Sequence, residues 1–254
     1  MLYEIHMLKN YPPTNLNRDE SGAPKTCVFN NATRGRISSQ CLKRSWRRSD
    51  FFKNEIAENI TGTRTRGLPG EICERLKACG VEEEKLKALK DQIPALLKLT
   101  KKIDDKTGEI ITEEIVFYSD ADMDAIVKEM TKLLAKCKTI ADIEGLAEDK
   151  KDKKDKEKKG KGQMNAAVKE LQEALKEARP ITLDIALFGR MVTSEAFQDV
   201  DASMQVAHAI STNKVVKESD FYAAMDDLLK TGGAANLGDV DYNASCYYVY
   251  ASVD

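Results

Sequence analysis

No apolar run reaches the roughly 18 residues that a membrane-crossing helix needs. The opening MLYEIHMLKN has neither the basic start nor the apolar block of a signal peptide, which predicts a cytoplasmic protein that makes no membrane contact. Histidine is scarce: His6 and His208 are too few and too isolated for a zinc site, and no cofactor is expected. Cys27, Cys41, Cys73, Cys79, Cys137 and Cys246 form no CxxC pair, and without an export signal they read as reduced thiols. Net charge is also small, at −2, which taken as an average speaks against a nucleic-acid partner. The distribution says otherwise. Between Arg34 and Arg48 stand six basic residues (Arg34, Arg36, Lys43, Arg44, Arg47, Arg48) and no acid, while much of the acid lies between Glu71 and Glu148.

With 254 residues the chain can form one large domain or two small ones. Residues 2–9 alternate like a strand, and the Pro/Asn/Gly content of 10–37 predicts a long loop. Ser38 and Ser39 are N-cap candidates for a helix running to about Phe51. Helical patterns follow near 53–60, 69–100 and 121–147, with a small hairpin expected where the 101–109 turn meets EIITEEIVFY. Residues 148–163, EDKKDKKDKEKKGKGQ, contain nothing apolar to bury and predict a mobile insertion; a basic arm for RNA is the alternative. A helix is expected over 164–178, and strands at ITLDIALFGRM (181–191), 203–211 and 245–253. The Gly/Asn/Asp-rich stretch near 213–244 predicts a protruding loop with a short helix at 219–230. The pattern as a whole is α+β: a sheet domain built from both ends of the chain (1–52 and 164–254), split by a helical insertion (53–163).

Projected at 100° per residue, the helix from 40 to 48 puts Cys41, Leu42, Ser45 and Trp46 on one side. Gln40, Lys43, Arg44, Arg47 and Arg48 fall on the other. A helix N-terminus with small hydroxyl residues and Arg/Lys one turn on is a phosphate-binding arrangement. An ordinary amphipathic helix with a solvated basic face is the alternative, although surface helices usually interleave signs.

RGRISSQCLKRSWRRS (34–49) resembles the signature of the CasC family, the type I-E CRISPR Cascade backbone subunits. LNRD (16–19), LDIALFGRM (183–191), QVAHAIS (205–211) and the pairing of MDDLL (225–229) with NLG (236–238) are similar to further family blocks, in the family's order; TRTRGLP (63–69) is a weaker match. The resemblance implies an RNA-recognition-motif-like (ferredoxin-like) palm, helical fingers and a thumb at about 213–244. It implies guide RNA as ligand, held by Gln40, Lys43, Arg44 and Arg47 with Arg18 and Lys25 in the loop, beside Arg34, Arg36, Ser38 and Ser39. Met191 would lie near the bases, and Tyr222 and Leu237 would form the thumb's wedge. Partners would be head-to-tail copies of the chain, other Cascade subunits and, indirectly, the target DNA strand, in antiviral defence. Family members continue past the strand at 245–253, so the resemblance also implies a C-terminally truncated palm with an open sheet edge.

Not an enzyme is the expectation. The competing possibility is metal-dependent RNA cleavage by Asp19, as relatives in type III complexes use a loop aspartate; a lone carboxylate beside arginines is more simply an ion-pair partner. A third possibility is a helical interaction protein whose basic helix meets an acidic partner.

Overall fold

The computed structural model describes residues 1–54, 61–146, 160–224, 228 and 236–254. Strand β1 (Tyr3–Thr14) is followed by β2 (Thr26–Phe29), β3 (Ala32–Ile37), α1 (Ser39–Arg47) and α2 (Asp50–Asn54). Next come β4 (Thr63–Thr65), α3 (Leu68–Ala78), α4 (Glu83–Leu96), β5 (Lys101–Ile103), β6 (Ile110–Thr112) and β7 (Val116–Tyr118). Helices α5 (Asp120–Lys136), α6 (Ile140–Glu144), α7 (Gly160–Ala174) and α8 (Leu183–Phe188) precede β8 (Met204–Val206), β9 (Ala209–Ser211), β10 (Glu218–Ala224) and β11 (Asn236–Val253). The chain divides into two compact units, one of residues 1–56 with 203–254 and one of residues 57–202. Among the described residues no helix is long and apolar enough to cross a membrane.

The first unit is an antiparallel sheet in the order β1-β11-β9-β3-β2, with β8 and β10 pairing opposite ends of the long β11. Burial alternates along β11: Asn243, Ser245, Tyr247, Val249 and Ala251 are buried, and the residues between them are not. This is the period of two that one covered sheet face imposes. The covered face holds Ile37, Ala209, Tyr247 and Val249, against which Tyr11, Cys41, Leu42 and Trp46 pack. Residues 10–37, predicted to be a loop, instead extend β1 to Thr14 and form the β2–β3 hairpin. Asn30 and Asn31 turn that hairpin with φ of 51° and 55°, the left-handed pair that a two-residue loop requires. Segment 203–211 is two short strands, because the register against β11 shifts by one residue between Val206, opposite Ala251, and Ile210, opposite Tyr248. The helix predicted to reach Phe51 breaks after Arg47, where the Ser49 hydroxyl and backbone N–H both donate to the Trp46 carbonyl.

The second unit has its own core, which includes Leu68, Ile72, Leu76, Leu89, Ile93, Met123, Ile126 and Met130. The helical stretch at 69–100 is two helices, parted at Gly80 with φ +86°, and the hairpin near 101–112 is formed by β5 and β6. Ala167, Leu171, Leu175, Ala196 and Phe197 belong to this core, so residues 164–202 join the helical unit rather than the sheet to which their pattern assigned them. Within ITLDIALFGRM, Leu183–Phe188 is helix α8 rather than a strand; the helix ends at Gly189, whose φ of +78° and closeness to the Val200 carbonyl disfavour a side chain. Asp122 caps α5 together with Ser119 and takes Arg179 Nε at 2.9 Å and Arg190 Nη1 at 2.6 Å. Burial alone would raise the Asp122 carboxyl; the Ser119 N–H and the two guanidiniums outweigh it and hold the group below the usual carboxylate range. Burial raises the Cys73 thiol to about 11, and no disulfide joins any of the six cysteines. Most of the lysine-rich 148–163 segment lies outside the described residues.

Candidate nucleic-acid interface

Ser38 caps α1: its backbone is extended and its hydroxyl accepts the Cys41 N–H at 3.3 Å. The Ser38 N–H in turn donates to Asn17 Oδ1 at 2.9 Å, and the Cys41 thiol lies 3.9 Å from the Leu16 carbonyl. These contacts fasten the 15–25 loop to the head of the helix. Lys25 donates its N–H to the Asn17 carbonyl at 2.8 Å, and Arg18 pairs with Pro24, so Arg18 and Lys25 are carried to the N-terminus of α1. No acid occupies the first turn of α1. Gln40, Arg44 and Arg48 are exposed; Ser39, Lys43 and Arg47 are half-buried, and Lys43 and Arg47 each hold an interaction within the chain. Ser45, which the projection grouped with the apolar side, is exposed; Cys41, Leu42 and Trp46 do the packing.

Asp19 is exposed, and one oxygen of its carboxylate is held by its own loop. Its Oδ1 accepts the Ser21 hydroxyl at 2.7 Å and the N–H groups of Ser21 and Ala23 at 2.9 and 3.0 Å. The Ser21 hydroxyl foremost, then these N–H groups, hold the carboxyl below its ordinary range. Among the described residues no cluster of three or more His, Cys, Asp or Glu is placed to hold a metal ion.

The stretch 213–244 contains a two-stranded ribbon where a helix at 219–230 was predicted. Glu218–Ala224 pairs with Asn236–Tyr242, and the residues between lie mostly outside those described. Every residue of β10 is exposed. The register pairs Tyr222 with Gly238 and Ala223 with Leu237, which puts Tyr222 on one face and Phe221 and Leu237 on the other. The Tyr222 ring covers Gly238: a Cβ there would meet the phenol oxygen at 2.6 Å. The predicted wedge pair, Tyr222 and Leu237, is therefore divided between two faces. Asn15 Nδ2 donates to the carbonyls of Gly22 at 2.8 Å and Asp241 at 3.0 Å, tying the loop to the root of the ribbon. An open groove of about 470 Å³ lies between them, with Arg18 on one wall and Asp220, Val240 and Tyr242 on the other.

Arg34 and Arg36 do not join this surface. Arg36 pairs with Ile210 and Ile210 with Tyr248, so both arginines project from the sheet face opposite α1. The basic run from 34 to 48 is thus two patches. Met191 is 91% exposed and belongs to the second unit. Sequence reasoning missed Asn15 and Asn17, whose side chains bind the loop to helix and ribbon; their only signal was their place in a turn-rich segment.

Residues 3–254 match the family model described as CT1975-like protein. No curated protein matches. A solved chain of a "CRISPR RNA-guided surveillance complex, pre-nicking" is similar to all of this chain at 25% identity and a TM-score of 0.72, over 64% of its own length. A chain of another "CRISPR RNA-guided surveillance complex" has the same fold at 22% identity and a TM-score of 0.62, again over all of this chain and 63% of its own. This chain therefore spans a little under two thirds of the length of either.

Proposed function

The chain belongs to the CT1975-like protein family, and from that premise we propose that it is a guide-RNA-binding backbone subunit of a CRISPR surveillance complex of the type I-E Cascade kind. One observation carries the reading. The loop bearing Arg18 and Lys25 is hydrogen-bonded through Asn17 to the Ser38-capped N-terminus of α1, from which exposed Arg44 and Arg48 follow one and two turns on. Backbone N–H groups, a positive helix end and unopposed guanidiniums on one rigid support are what an RNA backbone needs. The likeness to a surveillance-complex chain supplies the class of ligand.

On this reading the sheet unit is an RNA-recognition-motif-like palm, residues 57–202 are the fingers, and the β10–β11 ribbon is the thumb. Copies add head to tail along the guide, other Cascade subunits join them, and target DNA is met through pairing with the guide in antiviral defence. The subunit itself is not an enzyme. Asp19 Oδ1 accepts three hydrogen bonds from its own loop, which favours an ordering role over metal-dependent cleavage of the type III kind.

The test is co-expression with a CRISPR array, followed by sequencing of RNA that co-purifies. RNA of defined length carrying array spacers is the expected result. A protein free of RNA, or one with a random cellular mixture, would sink the reading and leave the basic helix as a site for an acidic protein partner.

A further inference from the structure

We propose that the sheet face opposite α1 is a second binding surface, one that stacks unpaired bases of single-stranded nucleic acid. Strand alternation and the observed register place His6 of β1, Tyr248 and Tyr250 of β11, Arg34 and Arg36 of β3 and Phe29 of β2 on this face. The three rings on the first two strands form one cluster. His6 Nδ1 lies 2.7 Å from the Tyr248 hydroxyl, and the His6 ring centroid is 5.1 Å from that of Tyr250. A groove of about 480 Å³ runs from Tyr248 and Tyr250 across Ile210 to Arg34 and Phe29.

The groove is built for flat, anionic ligands. Tyr248 is 41% exposed and Phe29 57%, so rings are offered at both ends. Tyr248 and Tyr250 stand roughly 6.8 Å apart along one strand, twice the rise per residue, a spacing that suits successive unstacked bases of an extended strand. Arg34 Nη1 is pinned by the Thr212 carbonyl at 2.6 Å, and the Nε atoms of Arg34 and Arg36 are buried with no hydrogen-bond partner in the structure. The Arg34 guanidinium is thereby fixed at the rim of the groove, where its positive charge favours an anion. On the strands that carry the ring cluster the alternation puts one carboxylate, Glu4, which already accepts the Tyr250 hydroxyl at 2.7 Å; Glu218 and Asp220 share the parity farther along β11, on the ribbon. Beside exposed Leu8, which the register sets opposite Tyr248, and half-buried Ile210, the rings and guanidiniums offer flat faces to bases and charge to phosphates. RNA and DNA strands share this chemistry.

The surface is separate from α1, which packs on the other side of the sheet. The test uses the purified protein with whatever RNA accompanies it, a labelled oligouridylate and the matching oligothymidylate, read by fluorescence anisotropy. Tyr248→Leu with Tyr250→Leu keeps apolar bulk and removes the rings; it is expected to weaken binding of the added strand at least about tenfold, leaving co-purified RNA unchanged. Tyr248→Phe with Tyr250→Phe keeps the rings and is expected to bind as wild type. Tighter binding of the uridylate marks RNA as the occupant, and of the thymidylate DNA. Unchanged affinity in a folded leucine pair overturns the proposal, as does a loss of subunits from the complex with affinity intact, which would make the face a protein interface. Should the leucine pair not fold, Phe29→Ser and Arg34→Ala decide by the same criterion. A preparation without co-purified RNA that still binds the oligonucleotide through this face would refute the guide reading and leave this one standing.

Discussion

Phe221 and Leu237 are diagonal neighbours on one face of the β10–β11 ribbon, exposed by 64% and 58%, with no core of the ribbon's own to bury them. Exposed apolar side chains on a projecting ribbon point to a partner surface. Phe221→Ser with Leu237→Ser is expected to leave the unfolding midpoint unchanged, because neither residue is buried. The same pair should weaken assembly along a guide and erase regularly spaced chemical reactivity of its bases. A variant that unfolds, or a persisting reactivity pattern, would return both residues to a structural role. Tyr222→Ser should act differently, fraying the ribbon by uncovering Gly238, which hydrogen exchange of β10 amides would register.

Arg44 of α1 and Arg48 at its C-cap are exposed. Changing both to alanine should flatten the slope of log K against log salt by about 1.4 for single-stranded RNA, at roughly 0.7 per lost phosphate contact. Lys43→Ala with Arg47→Ala should also lower stability, because both residues are half-buried and each has an interaction inside the chain. Wild-type slope in the Arg44/Arg48 variant would make the helix face merely solvated.

Gly35 lies against the Tyr247 ring, so a methyl group there forces the ring or strand β3 to move. Gly35→Ala is expected to cost about 1–3 kcal/mol by overpacking, seen as a lower urea midpoint at unchanged m. Adding Tyr247→Leu should recover part of the loss. Additive effects in the double variant would show that the two positions are not in contact.

Asp122 links stability to acid. Its carboxyl sits below the ordinary value when folded, so its contribution is full above the unfolded pKa, about 3.9, and is lost as pH falls through the folded value. Thermal unfolding of the wild type should therefore weaken below about pH 4 more steeply than that of Asp122→Asn. The variant should be less stable at neutral pH by about 3–5 kcal/mol, since Arg179 and Arg190 are left buried without their anion. Parallel acid profiles would remove Asp122 from the account.

Guide-complementary RNA incubated with the assembly and Mg²⁺ or Mn²⁺ is expected to stay intact. Asp19→Ala should loosen the 17–25 loop and reduce guide affinity without altering RNA length. Cleavage that vanishes in this variant would establish the catalytic alternative.

Where a local pattern has one physical meaning, the residues alone determined the structure. The Ser38 cap and the apolar side of α1 at Cys41, Leu42 and Trp46 follow from capping chemistry and helix periodicity, which neighbours do not change. Short apolar runs carry no such mark. ITLDIALFGRM fits a buried strand or one helical turn equally well; in the fold Leu183–Phe188 is helix, ended at Gly189 with φ +78°. Residues 10–37 hid a hairpin because strands that pair far along the chain are stabilised by partners, not by local preference: β3 is held by β9. The site shows the same divide. Its basic and hydroxyl residues were legible as composition, but sorting Arg34 and Arg36 from Arg44 and Arg48 required the sheet between them, because the side on which a strand residue emerges depends on register across chain separations that no local pattern records.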